Sequence, residues 1–101
     1  MKKVSETGIE KYTEEIGTGG TIISIRVETT ADGKYLNGQV KKNDKTVSTL
    51  SMENDGRIFL SVSSDANLTN EEFYDLFPKA AAIVGEILGI EAPGEENNET
   101  V

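Results

Sequence analysis

A chain of 101 residues with 18 acidic and 10 basic side chains carries a formal net charge of −8, and it has no His, no Cys and no Trp. The excess is uneven: residues 1–20 carry a net −1, residues 21–65 are neutral, and residues 66–101 carry −7. Such a length supports one domain with one modest core. The missing thiols and imidazoles exclude disulfides and thiolate zinc sites, and they remove the side chains most used in catalysis and transition-metal binding.

Residues 1–20 form an N-terminal segment with two readings. Ile9, Tyr12 and Ile16 fit one helical face ended by Gly17, whereas Tyr12, Glu14 and Ile16 would share one face of an extra strand. The short helix is the favoured reading. The basic start Met1-Lys2-Lys3 leads into no apolar stretch, and no apolar run reaches the length of a membrane span. The expectation is a cytoplasmic chain with no membrane partner.

An α+β domain over residues 21–90 follows: an antiparallel meander of about four strands and one C-terminal helix on one face. In Thr21 to Glu28, Ile23, Ile25 and Val27 alternate with Ser24, Arg26 and Glu28. After the turn Thr30-Ala31-Asp32-Gly33, Leu36, Gly38 and Val40 share a face, opposite Tyr35, Asn37, Gln39 and Lys41. Asn43-Asp44 reads as a two-residue hairpin loop. In Lys45 to Met52, Leu50 and Met52 point inward while Val47 and Thr49 point out. Asn54-Asp55-Gly56 is a turn signal, and Arg57 to Ser63 alternates Ile58, Leu60 and Val62 with Phe59, Ser61 and Ser63. Short connections demand antiparallel neighbours.

Thr69-Asn70-Glu71-Glu72 fits a capping box, with Leu68 and Phe73 placed as a hydrophobic staple. Phe73, Leu76, Phe77, Ala80, Val84, Ile87 and Leu88 recur as one helical stripe that Gly89 ends. Pro78 interrupts it, so a bend near residues 74–78 or two short helices are expected. Residues 91–101, with four Glu and little to bury, read as a disordered acidic tail.

The candidate sites follow from these placements. Gly17-Thr18-Gly19-Gly20 lacks the Lys-Ser/Thr ending and the strand–helix context of a phosphate loop, and reads as a plain turn. The carboxylates fall in turns, on the helix exterior or in the tail, none in an apolar stretch that would raise its pKa for acid catalysis. Asp65, Asn67 and Asn70 lack the spacing of a calcium loop. No catalytic residue, metal or cofactor is expected. Ala81, Gly85 and Gly89 would let another backbone approach closely, either the sheet's or that of a second copy in a homodimer.

The expected function is therefore a small acidic non-enzymatic protein-binding module, of the kind found among inhibitors and immunity proteins, phage-encoded ones included. Glu71, Glu72, Asp75 and Glu86 would imitate nucleic acid toward a basic partner. A second surface, Arg26, Tyr35, Lys41 and Phe59 on the outer sheet face, suits a protein interface, or alternatively single-stranded nucleic acid. The overall charge argues against nucleic acid as the partner. A homodimeric assembly role is the third reading.

Overall fold

Alternation with period two governs the chain from its first residues to Val62. The computed structural model describes residues 1–53 and 56–91. Six strands, β1 (Lys2–Glu6), β2 (Ile9–Ile16), β3 (Thr21–Thr30), β4 (Gly33–Lys42), β5 (Lys45–Met52) and β6 (Ile58–Val62), form one antiparallel sheet in sequential order. Helix α1 (Asn70–Leu88) crosses one face, chiefly over β2 and β3. The α+β class and the meander hold, with six strands in place of about four.

The two additional strands come from residues 1–20, where the favoured short helix is not formed. Tyr12 and Ile16 lie four apart, a spacing that both periods accommodate. As a strand, β2 pairs along β3 from Ile9↔Glu28 to Ile16↔Thr21, and both side chains are buried beneath α1. Gly8 (φ 76°) and Gly17 (φ 67°) supply the left-handed residues at the turns on either side.

The helix-facing side of the sheet holds Tyr12, Ile16, Ile23, Ile25, Val27, Leu36, Val40 and Leu50, which meet Leu76, Ala80, Ile83 and Ile87 of α1 in one core. Asn43 (φ 53°) and Asp44 (φ 64°) both adopt positive φ, as a type I′ hairpin between β4 and β5 requires. Val47 is buried, contrary to the outward reading. The β4–β5 register shifts after Val40, so Val40 opposes Ser48 and Lys41 opposes Thr46, which leaves Val47 as an extra residue free to turn inward.

Helix α1 is one 19-residue element through Pro78, not two short helices. Its end is a Schellman cap: Ile90 N–H donates to the Gly85 carbonyl (2.7 Å), Gly89 N–H to the Glu86 carbonyl (3.3 Å), and Gly89 has φ 75°. A Cβ on Gly85 would lie 3.3 Å from the Ile90 carbonyl, so the small residue there serves the returning chain. The buried stripe differs from the expected one. Glu72, Leu76, Ala80, Ile83 and Ile87 are buried, while Phe73, Phe77 and Leu88 are exposed. The apolar positions span too wide an arc for one sheet contact to cover, and the helix settles on the side that carries Ile83. The Asn54-Asp55 half of the expected turn and the expected acidic tail beyond Glu91 lie outside the described residues.

Gly38 sits in the middle of the inner face, between Ile25 and Leu50. A Cβ there would fall 2.7 Å from Ile25 Cγ1 and 3.3 Å from the Ser24 carbonyl oxygen. Gly38→Val should therefore lower stability by about 1–3 kcal/mol through overpacking, read as a lower urea midpoint at unchanged slope.

Candidate functional site

The end of β4, the start of β3 and the first turn of α1 converge on one carboxylate. Glu72 is the third residue of the helix, and the capping box is complete: Glu72 N–H donates to Thr69 Oγ1 (3.1 Å) and Thr69 N–H donates to Glu72 Oε1 (2.8 Å). Lys42 Nζ donates to the same Oε1 (2.8 Å), and Thr21 Oγ1 donates to Oε2 (2.5 Å). Lys42 also donates to the Asn67 carbonyl (2.5 Å), which fixes the loop before the helix. Glu72 is only 3% exposed. Its expected place on the helix exterior is thus corrected: it is a buried structural acid. The Lys42 ammonium, then the Thr21 hydroxyl and the Thr69 amide, hold its pKa down at about 2 against the opposing effect of burial.

Two further helix acids serve the same junction. Gly17 N–H donates to Asp75 Oδ2 (2.7 Å), to which Lys79 Nζ also donates (3.0 Å), and Thr18 Oγ1 donates to Glu71 Oε1 (3.1 Å). The Gly17 amide and the Lys79 ammonium lower the Asp75 pKa. The turn Gly17-Thr18-Gly19-Gly20 is therefore tied to the helix start. Of the four acids expected to act together as a partner surface, Glu71, Glu72 and Asp75 are engaged within the molecule. Glu86 lies three turns away, half-exposed and 3.8 Å from Lys3 Nζ. Asp65 and Asn67 face protein donors, Ser63 and Lys45 for the first and Lys42 for the second, and no cluster of metal-binding side chains occurs among the described residues.

The helix side turned away from the core carries what the acids do not. Phe73, Tyr74 and Phe77 are 40%, 75% and 42% exposed, with edge-to-face ring contacts from Phe73 to Tyr74 (5.3 Å) and to Phe77 (5.1 Å). Leu88 and Ile90 continue the surface, and an open groove of about 910 Å³ runs along Pro78, Ala81, Ala82, Gly85 and Gly89. Sequence reasoning placed Phe73 and Phe77 in the core. The width of the apolar arc, with Tyr74 and Ala81 lying beyond the buried positions, was the signal that could have found this surface.

Among the described residues the outer sheet face lies open, with Tyr35 and Phe59 exposed. Arg26, Tyr35, Lys41 and Phe59 all project from it, but they do not converge on one spot: Tyr35 and Lys41 stand at opposite ends of β4. Arg26 Nη1 is 3.4 Å from Glu28 Oε1, and the Arg57 guanidinium lies 5.4 Å from the Phe59 ring centre. No helix among the described residues is long and apolar enough to cross a membrane. No family model, curated protein or solved structure matches the chain.

A folded-state pKa below the unfolded value means that Glu72 adds stability in full above about pH 4.5 and loses it as the pH falls toward about 2. Glu72→Gln should lower stability at neutral pH by about 2 kcal/mol, because the Lys42 ammonium loses its counter-charge. It should also flatten the decline of the urea midpoint over that acid range, leaving the smaller contribution of Asp75.

Proposed function

We propose that this chain is a non-enzymatic protein-binding module that docks a partner protein on the outer side of α1. The observation that carries the reading is the aromatic triad Phe73, Tyr74 and Phe77 in solvent, continued by Leu88 and Ile90. A surface helix normally presents polar side chains opposite its buried stripe. Here the arc beyond the stripe is apolar from Phe73 to Ile90, a larger contiguous patch than scattered surface residues explain. Aromatic residues of this kind anchor protein interfaces.

Charge around the patch defines the partner. Glu71, Asp75 and Glu86 border one side of it, and the basic side chains near it are already engaged, Lys79 with Asp75, Lys3 with Glu86 and Lys34 with the Ile87 carbonyl. The partner is accordingly a protein with an apolar groove rimmed by basic residues. This keeps a basic partner but changes the mode of recognition. Apolar anchoring supplies affinity, and the carboxylates steer and select. Imitation of nucleic acid by Glu71, Glu72, Asp75 and Glu86 as a unit has little support, since three of them are committed to the fold. A second copy of the chain fits less well, because it would bring its own acidic border to the same contact.

Capture experiments from the native host test the reading. A partner retained by the unaltered chain should be lost with Tyr74→Glu plus Phe77→Glu and weakened about tenfold by Glu86→Lys. Equal capture by all three proteins would refute the assignment to α1.

A further inference from the structure

Ion pairing across this molecule leaves a residue that its net charge hides. Lys3, Arg26, Lys42, Lys45 and Lys79 each have an acidic partner, Lys34 donates to the Ile87 carbonyl, and Arg57 lies over Phe59. Among the described residues, Lys2, Lys11 and Lys41 have no acid within ion-pair distance, in a chain that has nearly twice as many acids as bases. Strand register puts all three on one surface. Lys2 opposes Thr13, Lys11 opposes Arg26, and Lys41 opposes Ile22, positions that all point to the outer sheet face.

The pair Lys11–Arg26 is informative by itself. Like charges directly opposite on neighbouring strands destabilise a sheet, so two cations here serve something other than the fold. A depression of about 410 Å³ lies over Lys11, Thr13, Ser24, Arg26, Asn37 and Gln39, cations flanked by hydroxyl and amide groups. Four acids share or adjoin this face: Glu28 opposite Tyr35 and 3.4 Å from Arg26, Asp44 beside Lys41, Glu15 bonded to the Gly20 amide (3.0 Å), and Glu6 on the edge strand. At the far side stand two exposed rings, Tyr35 and Phe59. They are two strands and two residues apart, about 12 Å by strand geometry.

We propose that the outer sheet face binds single-stranded nucleic acid, with Lys2, Lys11, Arg26 and Lys41 on the phosphates and Tyr35 and Phe59 stacking bases. Open cationic grooves with aromatic platforms bind single strands without sequence preference. The face is open, so an extended strand can cross it; a small anion would find no enclosing pocket. Amide and hydroxyl groups such as Asn37 and Gln39 suit base edges and sugar oxygens. The surplus of negative charge lies on the helix side, so the sheet side keeps a local positive strip. This surface is separate from the helix face assigned to a protein partner, and neither assignment depends on the other.

Anisotropy of a labelled oligothymidylate of about 15 nucleotides, titrated with the full chain at low salt, tests the inference. Binding should weaken with salt at a log–log slope of about −2 to −3, set by three or four phosphate contacts on a single strand. Lys11→Glu plus Lys41→Glu should lower affinity by more than about tenfold and bring the slope toward zero. Tyr35→Ala plus Phe59→Ala should weaken binding at an unchanged slope. Tyr74→Glu plus Phe77→Glu should leave it unaltered, which keeps this result independent of the protein-binding reading. All six exchanges are at exposed positions, and unchanged circular dichroism certifies the fold. Absence of binding at low salt, indifference to the lysine exchanges, or equal affinity for duplex DNA or polyglutamate would overturn the proposal.

Discussion

The structure depends on one buried carboxylate. Glu72 accepts hydrogen bonds from the Thr69 amide at the N-terminal cap of the helix, from the ammonium at the end of β4 and from the hydroxyl that opens β3. Each donor belongs to a segment that must meet the others for the fold to close. A buried charge is costly unless paired and fully hydrogen-bonded. With both oxygens satisfied, Glu72 instead accepts one arrangement of helix on sheet and penalises alternatives. Apolar burial supplies the bulk of the stability, because Ile23, Ile25, Val27, Leu76 and Ile83 meet in one core. Apolar contacts alone would let a helix slide or rotate over the sheet, and the Glu72 junction fixes its register.

That register produces both outer surfaces. With Leu76, Ile83 and Ile87 turned down, Phe73, Tyr74 and Phe77 must stand to the side and above. With α1 confined to one face, nothing among the described residues covers the opposite face of the sheet. The charge is sorted by the same geometry. Acids gather on the helix, where Glu71, Glu72 and Asp75 suit the positive end of its dipole and the turn bound there. The unpaired lysines remain on the far side. A chain with a net charge of −8 can thus present an apolar surface edged with acid on one side and a cationic strip on the other.

Much of the sheet was legible from alternation. Ile23, Ile25 and Val27, Leu36 and Val40, and Ile58 and Leu60 stand on the face that their period assigned. The capping box at Thr69–Glu72 was legible because it is a local motif with its own chemistry. Residues 1–20 were not, since Tyr12 and Ile16 satisfy either period and only pairing with β3 decides between them. Val47 was misplaced because a bulge is a property of two strands and leaves no mark in one. Glu72 looked solvent-exposed because its partners, Lys42 and Thr21, are 30 and 51 residues distant along the chain. For the same reason the near-neutral balance of residues 1–65 concealed the unpaired cations of the outer face: block charge counts residues, while a face is assembled from several strands.

The central claim is that Glu72 and Lys42 act as a coupled lock between helix and sheet. A double-mutant cycle on folding stability, with Glu72→Gln, Lys42→Met and both together, measures that coupling directly. The account predicts a coupling of at least about 1.5 kcal/mol at neutral pH, with the double variant more stable than the sum of its single changes implies. Changes that add to within about 0.5 kcal/mol would contradict it, and the orientation of α1 would then rest on apolar packing alone.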